Sequence, residues 1–230
     1  MFNLFKKKEV KKEANPGELF ARLRQSYMGN VPLNEWPKDD SKEQPWSMFV
    51  DARNKVIRQK TSEAEKIYRQ IVETPGLEPR HYMQAWLFLR YYAKVQPPAD
   101  VAKKVYGVMV EVCTSTGVVT VAAYTDHTAR ILHSSGGGTV WEKPDNSLDE
   151  KIDALIKAGE QAIISIPLVV VDIVPNPPKQ VDHVLICIAT PSGIYHGLGT
   201  GEFMSKDQYA GPILSAGTNL LQALESKKKQ

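Results

Sequence analysis

Between Val105 and Glu142 apolar and polar residues alternate, and each run ends in a turn signal. That pattern predicts a tight antiparallel meander. Val108, Val110 and Val112 share one strand face, and Val119, Val121 and Ala123 share the next. Thr125-Asp126-His127 turns the chain, Ala129 to His133 returns it, and Ser134 to Gly138 bends it into Thr139 to Glu142. Upstream the period is helical. Glu18 to Met28 carries Leu19, Phe20, Leu23 and Tyr27 on one side, and Gly29 to Pro45 is a proline-punctuated loop. Trp46 to Glu73 reads as one helix or as two divided at Thr61-Ser62, and Thr74-Pro75-Gly76 stops it. A further helix is expected over Arg80 to Lys94, with Tyr82, Ala85, Trp86, Leu89 and Ala93 at helical spacing.

Downstream of the meander, Ser147 and Glu150 have capping-box spacing, Ile152, Leu155 and Ile156 form a stripe, and Gly159 is placed to end that helix. Gln161 to Ile166 reads as a strand, and the proline-spaced Pro167 to Gln180 as an extended edge or loop. Val181 to Ala189 and Ile194 to Leu198 form a hairpin around Pro191-Ser192-Gly193, and Tyr209 to Ser226 is a closing helix. Together these elements predict an α+β protein: an N-terminal helical segment followed by an antiparallel sheet with helices packed on one face. The expected divisions are a disordered basic tail over 1–17, a helical segment over 18–98, an α+β domain over 99–226 and a basic tail over 227–230.

Charge changes this picture little. The net charge of +3 sits at the ends. Residues 1–13 carry five lysines against two glutamates, and residues 225–230 three lysines against one glutamate, so the body is about −2. A nucleic-acid surface is therefore not expected. Cys113 and Cys187 lie inside predicted strands and read as small core residues of a reducing compartment. No apolar run reaches the roughly 18 residues of a membrane span, and the expected location is the cytoplasm. Phe2, Leu4 and Phe5 beside the first lysines give residues 1–12 a weak contact with an anionic membrane as one further expectation.

Gly117 to Gly138, GVVTVAAYTDHTARILHSSGGG, resembles a family of uncharacterised bacterial proteins that carry a GVxTxxAxxDGTAxxxxSxGGG meander. The match is local, and His127 stands where that pattern has glycine. The resemblance implies a bacterial cytosolic protein and the meander itself, and it implies no active site. Ala64, Tyr68 and Pro75, with Trp86 and Leu89, are similar to part of a tetratricopeptide repeat, although Arg90 and Ala93 replace that pattern's glycine and tyrosine. A plain helical hairpin accounts for the same residues.

Candidate chemistry is sparse. Ser134, Gly136, Gly137 and Gly138 form a loop whose backbone N–H groups could cradle an anion, with Arg130, His133 and His196 as supporting side chains. The loop opens a strand rather than a helix, so it is neither a Walker A loop nor a dinucleotide fingerprint. None of the five histidines lies in a zinc motif, and Ser192 lacks a nucleophile elbow. No catalytic residue, cofactor or metal is expected. Tyr82, Trp86, Phe88, Tyr91 and Tyr92 place rings around one helix, which then lies between two layers or shows some of them to a partner. The first functional expectation is a non-enzymatic interaction or scaffold protein, binding a protein partner or a second copy through this helix and a sheet edge. The alternative is a small-molecule or anion-binding module at the glycine loop.

Overall fold

The structure is a computed structural model that describes residues 15–37, 42–165 and 169–227. The expected membrane contact of residues 1–12 and most of the two basic tails lie outside the described residues. Helix α1 spans Pro16–Tyr27, a short 3-10 turn Leu33–Glu35, and helices α2, α3 and α4 span Trp46–Ile57, Thr61–Glu73 and Pro79–Ala93. The meander follows as β1 (Gly107–Thr114), β2 (Gly117–Tyr124), β3 (Ala129–His133) and β4 (Gly138–Trp141). Then come α5 (Asp149–Ser165), β5 (Val170–Val171), β6 (His183–Thr190), β7 (Gly193–Thr200), α6 (Gly201–Lys206) and α7 (Ala210–Lys227). The α+β class holds: the seven strands form one antiparallel sheet in the order β4-β3-β2-β1-β6-β7-β5.

The sheet is apolar on both faces, and this organises the molecule. On one face Val108, Val110, Val121, Ala123, Ile131, Ile186 and Ile188 meet α5, α6 and α7, the expected helical cover. On the other, Met109, Ala122, Tyr124, Leu185, Cys187 and Ala189 join a core with residues of α2, α3 and α4. The helical segment and the sheet thus share buried surface. The continuous apolar run Val184 to Ala189 is what a strand covered on both faces requires. Helix α4 is buried around most of its girth because it lies between α3 and the sheet.

Polar clamps fix the second layer. Glu111 of β1, fully buried, accepts from Arg24 of α1 at 2.6 and 2.5 Å and from the Thr120 hydroxyl at 2.9 Å. Arg24 also donates to the Pro175 carbonyl. Arg90 donates to Asp172 at 2.9 Å and to the Pro191 carbonyl. Asn30 bonds Asp172 and Val174 through their backbones. The proline-spaced stretch after α5 is therefore held against the sheet rather than loose, and β5 is its two-residue edge strand.

Several expectations change. The Trp46 to Glu73 stretch divides, with Gln59 at φ 59 between α2 and α3. Ser147 does not cap a helix: α5 starts at Asp149, and the Asp145 carboxylate accepts from the Ser147 N–H at 2.7 Å. Gly159 does not end α5, and Gln161 to Ser165 is helix rather than strand. Ile152, Leu155, Ile156, Gly159, Ala162 and Ile163 continue one buried helical stripe, which outweighs the β-branched pair Ile163-Ile164. Gly159 serves close approach: a Cβ there would lie 2.6 Å from Val108 Cγ2. A short helix, α6, also precedes the closing one. In the β2–β3 turn, His127 takes φ 62, a conformation glycine favours. Lys143 Nζ donates to its Nδ1 at 2.9 Å, which leaves Nε2–H to donate to Asp153 at 3.0 Å.

Candidate functional site

The residues expected around the glycine loop are not brought together. Ser134 to Gly137 connects β3 to β4, with Gly136 at φ 102 and Gly137 at φ 80, values that only glycine adopts readily. Its N–H groups are partly spent within the hairpin: Ser134 donates to Val118 O and Gly136 to His133 O, while the Ser134 hydroxyl accepts from Val118 N–H. Arg130 reaches toward the other end of the hairpin, where it donates to the Ala129 and Trp141 carbonyls and pairs with Glu142 at 2.9 Å. His133 and His196 stand on β3 and β7, four strand spacings or about 19 Å apart across the sheet. Strand alternation also puts them on opposite faces, since His196 pairs with Cys187 and His133 alternates with Ile131. Among the described residues no three His, Cys, Asp or Glu side chains group to hold a metal ion.

The aromatic helix splits differently. Trp86 and Phe88 are core, and Tyr82 stacks on Tyr106 with centroids 5.4 Å apart while its hydroxyl donates to Thr74 O at 2.7 Å. Tyr92 is half-buried against Phe88, and Tyr91 alone of the five is open, at 55% exposure. Tyr82 and Trp86 answer to packing between two layers, while Phe88, Tyr91 and Tyr92 line one apolar cleft of about 230 Å³ with Leu33, Leu87 and Ile173.

A second apolar opening lies where β7 meets α6 and the start of α7. Gly197 and Gly199 leave β7 without side chains on the face toward α6, and Met204 fills that space only in part. The result is a cleft of about 210 Å³, floored by Ile186, Ile188 and Ile213 and walled by Tyr195 and Tyr209. Asp207 holds its lip: its carboxylate accepts from the N–H groups of Tyr209 and Ala210 at 2.8 and 2.7 Å, which keeps its pKa below the usual carboxylate value. Phe203 of α6 borders the cleft at 67% exposure, while Leu198, paired with Leu185, turns to the opposite face of the sheet. β5 covers only Ile194 and Tyr195 of β7 among the described residues. This cleft was missed from sequence, although its signal is present: the alternate glycines of Gly-Leu-Gly strip one face of the strand.

Compared with known proteins, the chain matches no family model, no curated protein and no solved structure. Among the described residues no helix is long and apolar enough to cross a membrane.

Proposed function

We propose that this protein works by protein–protein association, and that the β7–α6 side joins it to a second copy of itself. One observation carries the reading: the same small surface offers both a hole and a ring to fill it. The cleft of about 210 Å³ lies beside Phe203, whose ring is two-thirds exposed. A cavity of about 150 Å³ accommodates benzene, so the cleft has room for a phenyl group. A two-fold interface sets one patch against its own copy and so needs this kind of self-complementarity. An exposed ring beside an apolar opening is a feature of interaction sites.

Sedimentation equilibrium of the purified chain tests this. The expected species at tens of micromolar is a dimer. Phe203→Glu places a carboxylate where the ring would enter and should weaken association by at least about thirty-fold, the effect of losing an interface hot spot. Phe203 is exposed in the single chain, so at concentrations low enough for both chains to be monomeric the variant should keep the wild-type unfolding midpoint. A wild-type monomer across the whole range, or a dimer indifferent to Phe203→Glu, would overturn the proposal.

A further inference from the structure

The cleft of about 230 Å³ on the helical side of the molecule is built where two helices end. Gln25 comes from the last turn of α1, and Phe88, Tyr91 and Tyr92 from the last two turns of α4. Asp172 and Ile173, just after β5, close the other side. The walls are rings and aliphatic groups, and Asp172 is the one charged side chain lining the cleft among the described residues.

Three features give this cleft a negative character. First, α4 and α1 both turn their C-terminal, electronegative ends toward it. Second, its rings offer electron-rich faces: Tyr91 and Tyr92 stand edge to face with centroids 5.0 Å apart, and Phe88 lies 5.8 Å from Tyr92. The protein already uses one of these faces for a cation, since Lys94 Nζ lies 5.6 Å from the Tyr91 centroid. Third, Asp172 keeps an unused acceptor. Its Oδ1 accepts from Arg90 Nε at 2.9 Å, while Oδ2 has no protein partner among the described residues. The Arg90 side chain is 6% exposed and does not line the cleft, whereas Asp172 is 50% exposed. Asn30 donates to the Asp172 backbone carbonyl, so the carboxylate is held in place before any ligand arrives.

We propose that this cleft binds a small organic ammonium ion with an apolar body, its charged head toward Asp172 and its body among the rings of α4. The volume suits such a ligand: a cavity of about 150 Å³ accommodates benzene, and the remainder leaves room for a short aminoalkyl chain. An anion would meet Asp172 and two electronegative helix ends. A neutral apolar ligand would gain no charge-assisted hydrogen bond from the carboxylate. The cleft belongs to the helical layer, on the other side of the sheet from α6, so it is independent of the proposed self-association.

Titration of the full chain with phenethylammonium chloride at low salt, followed by amide NMR, is the test, with neutral phenethyl alcohol titrated in parallel. Saturable binding of one ammonium ion per chain is expected, with a Kd of about 1 mM or tighter and shifts centred on Tyr91, Tyr92 and Ile173. The alcohol should bind at least about ten-fold more weakly, the worth of one charge-assisted hydrogen bond. Tyr91→Ala removes an exposed wall of the cleft and should weaken both probes about five-fold with little change in unfolding midpoint. Asp172→Asn should erase the difference between the probes. Because it also takes the carboxylate from Arg90, its unfolding midpoint is measured alongside. Raising salt to about 0.5 M makes the same distinction without a substitution: it should weaken the ammonium ion and leave the alcohol unchanged. No saturation by about 10 mM phenethylammonium, equal binding of the two probes, or a preference that survives in folded Asp172→Asn would overturn the site.

Discussion

His81 makes the stability of this protein depend on pH in a calculable way. The imidazole is 3% exposed on α4, with the Trp46 ring edge-on at 4.8 Å and the Trp36 and Phe49 rings at 6.1 and 6.3 Å. Neither ring nitrogen has a hydrogen-bond partner. Burial therefore disfavours the imidazolium and pushes the pKa down to about 4; Glu78 opposes the fall and Arg80 adds to it. In the unfolded chain the group titrates near its ordinary value of about 6.5. Between these two values the unfolded state binds a proton that the native state refuses, so stability falls as pH falls. The full loss below pH 4 is about 3 kcal/mol, and about 2 kcal/mol of it is gone at pH 5. Urea denaturation of the wild type and of His81→Leu from pH 8 to pH 4.5 isolates the effect, because the other titrating groups are common to both chains. The wild type should lose about 2 kcal/mol more than the variant between pH 8 and pH 5. Parallel stability curves would refute the reasoning, since they would mean that His81 takes up a proton as readily folded as unfolded.

The remaining predictions concern packing and the buried ion pair. Glu111→Ala strands Arg24 in the core and should cost about 3–5 kcal/mol in urea denaturation, while Arg24→Met with Glu111→Leu together should cost much less; equal costs would mean the pair is not buried as described. Gly159→Ala drives a methyl group into Val108 and should destabilise by about 1–3 kcal/mol despite alanine's higher helix propensity. In the native protein Cys187 should resist a thiol reagent on the timescale that labels the unfolded chain, because it is fully buried and burial raises its pKa; rapid labelling without denaturant would contradict its position.

The local code was most legible where one periodicity ran unopposed. The meander from β1 to β4 was readable because Val108, Val110, Val121 and Ala123 alternate with turn residues at each end. It misled where two periods overlapped: Gln161 to Ser165 has strand-like Ile163-Ile164, yet the stripe beginning at Ile152 continues through Ala162 and Ile163, and contact with the sheet selects the helix. Ser147 was misassigned because Asp145, two residues earlier, captures its N–H first.

By itself the sequence determined the class of the fold, the meander, the helical N-terminal segment and most element positions, because hydrophobic period and turn chemistry act over a few residues. Only the tertiary structure decided that the helical segment covers the second face of the sheet, that Trp86 and Phe88 of α4 belong to the core while Tyr91 stays open, and that His133 and His196 stand apart on opposite faces. It also opened the cleft beside Phe203, which exists only because α6 folds beneath the bare face of β7. These outcomes depend on which distant surfaces meet, and the free energy of that meeting comes from burial shared between elements, which no local stretch of the chain carries alone.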